Sequence, residues 1–255
     1  MSKRYSVVEV FVTLQGEGRW AGRRAVFLRL AGCNMWNGIP ADRHKGVGAC
    51  AMWCDTNFAK GTAMDLAQVL DEVNNAWDGA PTGLAGHEAR MVVISGGEPT
   101  LQLDENLVRG LKQSGWYVAI ETNGTVANPA LALCDHVCVS PKRGSVLEVW
   151  QADELKVVLP GGIPGGPVDH QWPTTELHDI ATRGRWGELF VQPQDVTETA
   201  AVEQTYLHAI RSAKPGEFHA GAVQFASNVK TCLDFLEVSP GWRLSFQTHK
   251  LLGCK

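Results

Sequence analysis

Short apolar segments alternate with segments of helical periodicity along most of the chain, and this alternation constrains the possible folds strongly. The apolar run Met91-Val92-Val93-Ile94 is typical of a buried strand, and a helical pattern over 103–114 follows it. Repeated strand–helix pairs predict a parallel sheet with right-handed crossovers. About six such units are too few for a closed eight-stranded barrel, so we predict an α/β fold built as a partial (βα)6-type barrel. The predicted strands are 7–14, 25–31, 91–94, 116–121, 136–140, 154–159, 188–192 and 242–247, and the predicted helices are 64–78, 103–114, 128–133, 197–213 and 221–237.

The size and charge of the chain limit the classes of function. With 255 residues, of which 44% are hydrophobic, the chain can bury one core, so we predict a single domain over 1–255 with an irregular Gly- and Pro-rich loop at 160–174. The net charge of −4 gives no basic surface that would attract nucleic acid. No apolar run approaches the roughly 18 residues of a membrane span, and the N-terminus runs directly into strand-like sequence. We therefore expect a cytoplasmic protein that acts on a small molecule, with no nucleic-acid or membrane partner.

Polar motifs follow most of the predicted strands. The carboxyl ends of parallel strands meet at one edge of a sheet, where α/β folds collect their ligands. A single motif of this kind is often an ordinary turn, but their repeated occurrence on one side of one sheet predicts a shared binding site. The motifs are Cys33, Gly96-Gly97-Glu98, Glu121-Thr122-Asn123, Ser140-Pro141-Lys142, Gln192-Pro193-Gln194 and Gln247-Thr248-His249.

The cysteines indicate metal chemistry in one part of the chain. Cys33, Cys50 and Cys54 lie in a loop over 33–57 that is rich in Gly, Trp and charged residues. Three thiolates would leave one iron of a 4Fe-4S cluster open to the amine and carboxylate of S-adenosylmethionine (SAM). Their spacing alone also permits a zinc site, with His44 as a further ligand, or no metal. Three other cysteines have apolar neighbours and are expected to be buried thiols: Cys134, Cys138 and Cys232.

Taken together, these motifs resemble those of the radical SAM superfamily and, within it, the 7-carboxy-7-deazaguanine synthase family of queuosine and deazapurine biosynthesis. The most specific parts of the resemblance are Leu14-Gln15-Gly16-Glu17-Gly18 and Gln247-Thr248-His249-Lys250, because other radical SAM families share the cluster but lack these two motifs. The further matching motifs are Phe27-Leu28-Arg29-Leu30-Ala31-Gly32-Cys33-Asn34, Trp53-Cys54-Asp55-Thr56, Ser95-Gly96-Gly97-Glu98-Pro99, Glu121-Thr122-Asn123-Gly124 and Ser140-Pro141-Lys142.

The resemblance implies a radical SAM fold and a lyase activity. In that family, reductive cleavage of SAM gives a 5′-deoxyadenosyl radical, which takes hydrogen from C6 of 6-carboxy-5,6,7,8-tetrahydropterin. The pyrazine ring then contracts to a pyrrole with loss of ammonia, which yields 7-carboxy-7-deazaguanine. The resemblance also implies Mg²⁺ beside the 4Fe-4S cluster and SAM, a flavodoxin-type electron donor and a homodimer.

Carried over position by position, the resemblance implies a role for each motif. Gln15 and Glu17 suit the guanidine-like edge of the pterin, and the guanidinium of Arg29 suits its carboxylate. Hard oxygen ligands suit Mg²⁺. The implied cluster ligands are Cys33, Cys50 and Cys54; the Mg²⁺ contacts are Asp55 and Thr56; the SAM contacts are Trp53, Gly96, Gly97, Glu98, Glu121, Asn123, Ser140 and Lys142; and the substrate contacts are Leu14, Gln15, Gly16, Glu17, Arg29, Ser95, Gly97, His249 and Lys255.

Two departures from the family pattern leave alternatives open. Three residues separate Cys50 from Cys54, where the superfamily usually has two, so we predict a bulged loop that Gly46 and Gly48 make possible. The chain ends in Gly253-Cys254-Lys255, where the family more often ends in proline. The alternatives are another radical SAM enzyme, such as an activase or a different heterocycle synthase, and a partner-binding protein with a defective cluster.

Overall fold

One curved sheet carries the elements of the computed structural model, which describes residues 3–39, 54, 56–79, 90–160, 171–195 and 220–254. The strands are β1 (Tyr5–Leu14), β2 (Arg24–Leu30), β3 (Thr62–Met64), β4 (Met91–Gly96), β5 (Tyr117–Thr122), β6 (His136–Val139), β7 (Gln151–Leu159), β8 (Arg185–Pro193) and β9 (Trp242–Leu244). The α-helices of these residues are α1 (Leu66–Asp78), α2 (Glu105–Gln113), α3 (Thr174–Arg183), α4 (Ala220–Glu237) and α5 (Thr248–Leu252). Short 3₁₀ turns cover Gly18–Trp20, Pro99–Leu101 and Pro129–Leu133.

The strand order confirms the α/β fold. The sheet runs β3-β1-β2-β4-β5-β6-β7-β8-β9, and every neighbouring pair from β2 to β9 is parallel. The strand β1 pairs antiparallel with both β2 and β3. Parallel strands place their carboxyl ends on one edge, so the motifs at the ends of β2, β4, β5, β6, β8 and β9 share one side of the sheet.

Local sequence signals account for the helices that flank the sheet. Asp65 precedes α1 and forms a capping box with Gln68, and its side chain accepts the Gln68 N–H at 3.0 Å. The inward face of α1 buries Val69 and Val73 against the sheet. Asp104 caps α2 in the same way, accepting the N–H of Leu107 at 2.9 Å. Within the described residues, no helix has both the length and the apolar character needed to cross a bilayer.

The loop between β1 and β2 shows that the sheet curls on itself. The Gln15 side chain donates to Glu121 on β5 at 3.1 Å, and the Arg19 N–H donates to Glu154 on β7 at 3.0 Å. The Gly18 N–H reaches the hydroxyl of Ser245, just after β9, at 2.9 Å. A flat sheet would keep these strands far from β1, so these contacts describe a partial barrel that the β1–β2 loop helps to close.

Several elements differ from the sequence predictions. The strand β1 is antiparallel to β2, although we predicted a parallel sheet, because residues 15–23 between the two strands are too few for a crossover connection. The last strand ends at Leu244 instead of 247, and α5 was not predicted. The elements β3 and α3 were also missed, and 129–133 forms a 3₁₀ turn where we predicted a short helix. The predicted helix at 197–213 and residues 161–170 of the predicted loop lie outside the described residues.

Candidate active site

A cavity of about 600 Å³ opens at the carboxyl edge of the parallel strands, within the size range of small-molecule sites. It gathers most of the residues that the sequence predicted for one site. Those that line it are Leu14, Gln15, Glu17, Arg29, Cys33, Cys54, Thr56, Ser95, Gly96, Gly97, Glu121, Asn123, Ser140, Lys142 and His249. The predicted site residues Cys50, Trp53, Asp55 and Lys255 lie outside the described part of the chain.

Two of the three predicted cluster cysteines open onto this cavity. Cys33 follows β2, and both Cys33 and Cys54 pack against the apolar group of Met35, Trp36 and Phe58. The Met35 N–H donates to the sulfur of Cys33 at 3.4 Å, a contact that suits a thiolate. The donor chemistry at this wall therefore fits an iron–sulfur cluster. Among the described residues, no three His, Cys, Asp or Glu side chains come together as a metal site, and Cys50 is not among those residues.

Two glycines at the end of β4 allow the cavity wall to pack closely. Gly96 has a φ of +154°, and a Cβ added there would lie 2.2 Å from the carbonyl oxygen of Leu30. A Cβ at Gly97 would lie 2.4 Å from the carbonyl oxygen of Gly32 and 2.7 Å from Cβ of Cys33. Only glycine fits at such distances. These two residues thus bring the β4 end against the turn that presents Cys33.

Glu98, which we predicted to contact SAM, is completely buried and does not line the cavity. Its carboxylate accepts the backbone N–H of Thr100 at 3.0 Å, the hydroxyl of Thr122 at 2.7 Å and the backbone N–H of Asn123 at 2.7 Å. Asn123 itself lines the cavity and donates to the side chain of Asn34 at 3.2 Å. In these contacts Glu98 holds Asn123 in place, and its direct contact with SAM stays a prediction.

A group of charged and amide side chains forms the floor of the cavity. Lys156 on β7 donates to Glu17 at 2.6 Å and to Glu121 at 2.9 Å. Gln247 donates to the other oxygen of Glu17 at 2.8 Å, and Gln15 donates to the other oxygen of Glu121 at 3.1 Å. Burial alone would raise the pKa of Glu17, but the Lys156 ammonium and these hydrogen bonds lower that pKa to about 2. Glu17 is therefore ionised at neutral pH.

These contacts also connect Glu121 to the substrate side of the predicted site. We predicted Glu121 to be a SAM contact, whereas its carboxylate binds the side chains of Gln15 and Lys156. Lys156 was not among the predicted site residues. A lysine inside the apolar run Leu155–Leu159 was a signal that could have pointed to it, because a charge on the inner face of a buried strand needs partners.

Glu154 is a second buried charged residue near Lys156, and it was also not among the predicted site residues. Its carboxylate accepts the backbone N–H of Arg19 at 3.0 Å and contacts His136 at 3.3 Å and the thiol of Cys138 at 3.5 Å. Burial would raise the pKa of Glu154, but His136 and Lys156 lower it. Gly18, with a φ of +61°, leaves room for this carboxylate, since a Cβ there would lie 2.0 Å from a Glu154 oxygen. Glu154 thus anchors the loop that carries Glu17.

Arg29, on β2, also lines the cavity. Its Nε donates to Glu9 at 2.8 Å, and its guanidinium lies 5.8 Å from the ring centroid of Phe11. Phe11 stacks on Phe27 with centroids 5.5 Å apart, and both rings line the cavity. Arg29 is therefore held by the Glu9 carboxylate and the Phe11 ring, and it contributes a cation to the lining of the cavity. Glu9 was not predicted, because its position opposite Arg29 depends on the register of β1 and β2.

The remaining predicted contacts come from β6 and the C-terminal helix. Lys142 donates to the hydroxyl of Ser140 at 2.9 Å after β6. The carbonyl oxygen of Gly16 accepts the N–H of Thr248 at 2.9 Å. A Cβ on Gly16 would lie 1.9 Å from the ring of His249. Gly16 does not line the cavity, but its small size allows α5 to bring His249 to the wall.

Fold and site together define a class: a partial α/β barrel whose strand ends surround one small-molecule cavity with thiols on one wall and buried charges on its floor. The chain is 37% identical to the 7-carboxy-7-deazaguanine synthase of Burkholderia multivorans and 39% identical to that of Bordetella pertussis, each over 255 residues and 98% of both chains. A crystal structure of QueE from Escherichia coli matches the fold with a TM-score of 0.59 and 24% identity, over 95% of this chain and 93% of that one. No family model matches the sequence. The chain belongs to the 7-carboxy-7-deazaguanine synthase family.

Proposed function

We propose that this protein is a radical SAM lyase that converts 6-carboxy-5,6,7,8-tetrahydropterin to 7-carboxy-7-deazaguanine in queuosine or deazapurine biosynthesis. The observation that carries the proposal is the single cavity in which Cys33 and Cys54 share the walls with Arg29 and with the carboxylates of Glu17 and Glu121. The family to which the chain belongs indicates the reaction, and the cavity contains the thiols, carboxylates and guanidinium that this reaction needs.

The residues of the cavity match the polar groups of a carboxylated pterin. The ionised Glu17 accepts hydrogen bonds from an edge rich in N–H donors, and Arg29 offers a guanidinium to the substrate carboxylate. Holding both ends of a rigid ring system fixes its orientation toward the thiol wall. When bound, a 4Fe-4S cluster and SAM supply the one-electron chemistry that removes a hydrogen atom from carbon.

The family motifs and the lining of the cavity also support assignments for the cluster and for SAM. Cys33, Cys54 and Cys50 would hold the cluster, and the backbone of Gly96 and Gly97 would approach the methionyl part of SAM. The other SAM assignments are Trp53, Glu98, Glu121, Asn123, Ser140 and Lys142, and the other substrate assignments are Leu14, Gln15, Gly16, Ser95, His249 and Lys255.

We also propose Mg²⁺ as a cofactor, with Thr56 and Asp55 as its contacts. Thr56 lines the cavity beside Cys54, and hydroxyl and carboxylate oxygens are ligands that Mg²⁺ accepts. Removal of Mg²⁺ with a chelator should abolish product formation, and its return should restore it. Product formation that does not change would contradict this assignment. On the family resemblance we further propose a homodimer, a flavodoxin-type electron donor and a location in the cytoplasm.

The activity is tested by anaerobic reconstitution with iron and sulfide, followed by incubation with the pterin, SAM, Mg²⁺ and dithionite. We expect 7-carboxy-7-deazaguanine by mass spectrometry and an equal amount of ammonium. Cleavage of SAM without consumption of the pterin would instead indicate another radical SAM enzyme. A protein that binds no iron would indicate the partner-binding alternative.

Cysteine variants test the cluster assignment separately. We expect Cys33→Ala, Cys54→Ala and Cys50→Ala to lose reconstituted iron and its charge-transfer absorbance. The matched control is Cys134→Ala, since burial raises the pKa of Cys134 to about 12 and keeps it a thiol. Wild-type iron content in Cys50→Ala would remove that residue from the ligand set.

A further inference from the structure

Lys156 is a buried cation for which the family motifs assign no role. Its side chain is only 3% exposed, yet Nζ lies 2.6 Å from Glu17 and 2.9 Å from Glu121 at the cavity floor. Burial alone would lower the pKa of Lys156, but the surrounding acidic groups raise it well above the ordinary value. Lys156 is therefore an ammonium group under the ligand space.

The lysine lies at the centre of a chain of hydrogen bonds that fixes both carboxylates. Each carboxylate has one oxygen bound by Lys156 and the other bound by an amide, from Gln247 for Glu17 and from Gln15 for Glu121. The side-chain oxygen of Gln15 also accepts the N–H of Glu17 at 3.3 Å. A carboxylate accepts about four hydrogen bonds, so both groups keep acceptor capacity toward the cavity that they line.

The charges of this group do not cancel. Lys156 binds two carboxylates directly and a third, Glu154, lies near it, so acidic groups outnumber the ammonium at the floor of a partly enclosed site. Such a floor attracts the N–H donors of a ligand and repels carbonyl oxygens. Without the ammonium, two carboxylates would share the floor, and repulsion and burial together would favour protonation of one of them.

We propose that Lys156 is a positioning residue of the pterin site, which holds Glu17 and Glu121 as two fixed acceptors and thereby selects a ligand edge that carries N–H donors. The inference rests on the proposed function and deepens it, because it assigns the selectivity for the aminopyrimidinone edge of the substrate to a residue that need not touch the substrate.

The test measures binding of 6-carboxy-5,6,7,8-tetrahydropterin to reconstituted protein with SAM present and reductant absent. For Lys156→Met we expect affinity to fall on the order of 30-fold, because a buried charged hydrogen-bond partner is lost. Between about pH 9 and about pH 6 we expect the affinity of Lys156→Met to weaken relative to that of wild type as pH falls, since Glu17 of the variant then gains a proton in this range. The ratio of the two affinities removes the contribution of cavity groups that both proteins share. The groups that face Lys156 are Glu17, Glu121, Glu154 and Cys138, and His249 faces Glu17.

A conservative variant and an analogue separate positioning from packing. Lys156→Arg keeps the cation, so we expect an affinity between those of wild type and Lys156→Met, with the pH profile of wild type. Wild type should bind the 2-oxo analogue, which replaces the donor amino group by an acceptor, much more weakly than the pterin. The ratio of the two affinities should shrink in Lys156→Met. If thermal unfolding shows that Lys156→Met is not folded, Lys156→Gln replaces it in the same comparison.

The matched control is Lys112→Met, which removes a surface lysine paired with Asp135 at 2.6 Å and should leave affinity and pH profile unchanged. Pterin affinity within about twofold of wild type for Lys156→Met would overturn the inference. Equal, pH-independent losses in Lys156→Met and Lys156→Arg would also overturn it, since they indicate a packing defect. Dithionite-driven SAM cleavage in every variant shows that the cluster is intact, and product formation by wild type tests the proposed function independently.

Discussion

At the scale of single residues, Glu98 fixes the geometry of two strand ends without reaching the cavity. Its buried carboxylate binds the backbone of Thr100 after β4 and the backbone of Asn123 after β5, as well as the hydroxyl of Thr122. A carboxylate is acceptor-only and can serve several donors at once. The motif Gly96-Gly97-Glu98-Pro99 thus combines two glycines that line the cavity with a buried acid that orients the neighbouring strand end.

Replacing Glu98 by Gln should lower the free energy of unfolding by about 2 kcal/mol, because the amide NH₂ faces a buried donor and leaves it unsatisfied. Urea unfolding measures the change. The control is Glu105→Gln, which removes an exposed carboxylate paired with Arg109 at 3.3 Å and should cost no more than about 0.5 kcal/mol. Equal unfolding curves for Glu98→Gln and wild type would show that these hydrogen bonds contribute nothing net.

At the scale of elements, the β1–β2 loop carries Glu17 and depends on distant strands for its shape. Gly18 donates its N–H to Ser245 after β9, and the Arg19 N–H binds Glu154 on β7. The same loop binds α5 through the carbonyl oxygen of Gly16, which accepts from Thr248. The position of Glu17 is therefore set by the closure of the barrel as a whole.

Two glycines of this loop offer a matched test. Gly18 and Gly22 have φ values of +61° and +87°, so alanine strains the backbone at both positions. A Cβ at Gly18 would overlap Glu154, whereas a Cβ at Gly22 meets nothing within 4 Å. We expect Gly18→Ala to weaken pterin binding on the order of tenfold and Gly22→Ala to have little effect. Comparable binding by the two variants would contradict the proposed anchoring by Glu154.

At the scale of the whole molecule, buried charges link stability to pH. The pKa of Glu17 is lowered to about 2 from an ordinary value of 4.5, so folding favours its ionised form. Its contribution to stability is fully present above the unfolded pKa, near 4.5, and is lost as pH falls through the folded pKa near 2. The pair with Lys156 thus contributes to acid unfolding as well as to the shape of the site.

The contribution of Glu17 can be isolated by comparing wild type with Glu17→Gln. We expect the difference between their free energies of unfolding to be constant above about pH 4.5 and to shrink toward about pH 2, where Glu17 is protonated in the folded protein too. Chemical denaturation over a pH series measures the difference. A difference that does not change with pH would mean that Glu17 is not ionised against Lys156 in the folded state.

Much of the architecture was predictable because it depends on local pattern. The apolar run of β4 and the helical periodicity of α1 depend on neighbouring residues, and both elements formed where expected. The short elements β3 and α5 were missed, since a few residues carry too little periodicity and α5 is held by its contact with Gly16. The antiparallel pairing of β1 with β2 follows from the short connection between them. The alternation of strands and helices does not indicate this pairing.

The sequence by itself determined the α/β class and the strand ends at which Cys33 and the Gly96-Gly97-Glu98 motif lie, because hydrophobic period and motif order are local properties, and its family motifs selected Cys54, Glu17 and Arg29 for the same site. Only the tertiary structure decided what these groups contact. Glu17 meets Gln247 across 230 residues, and Gln15 meets Glu121 across 106, through the curl of the sheet. The roles of Lys156, Glu154 and Glu98 arise from such contacts, since a buried charge takes its chemistry from partners that only the folded chain brings within hydrogen-bonding distance.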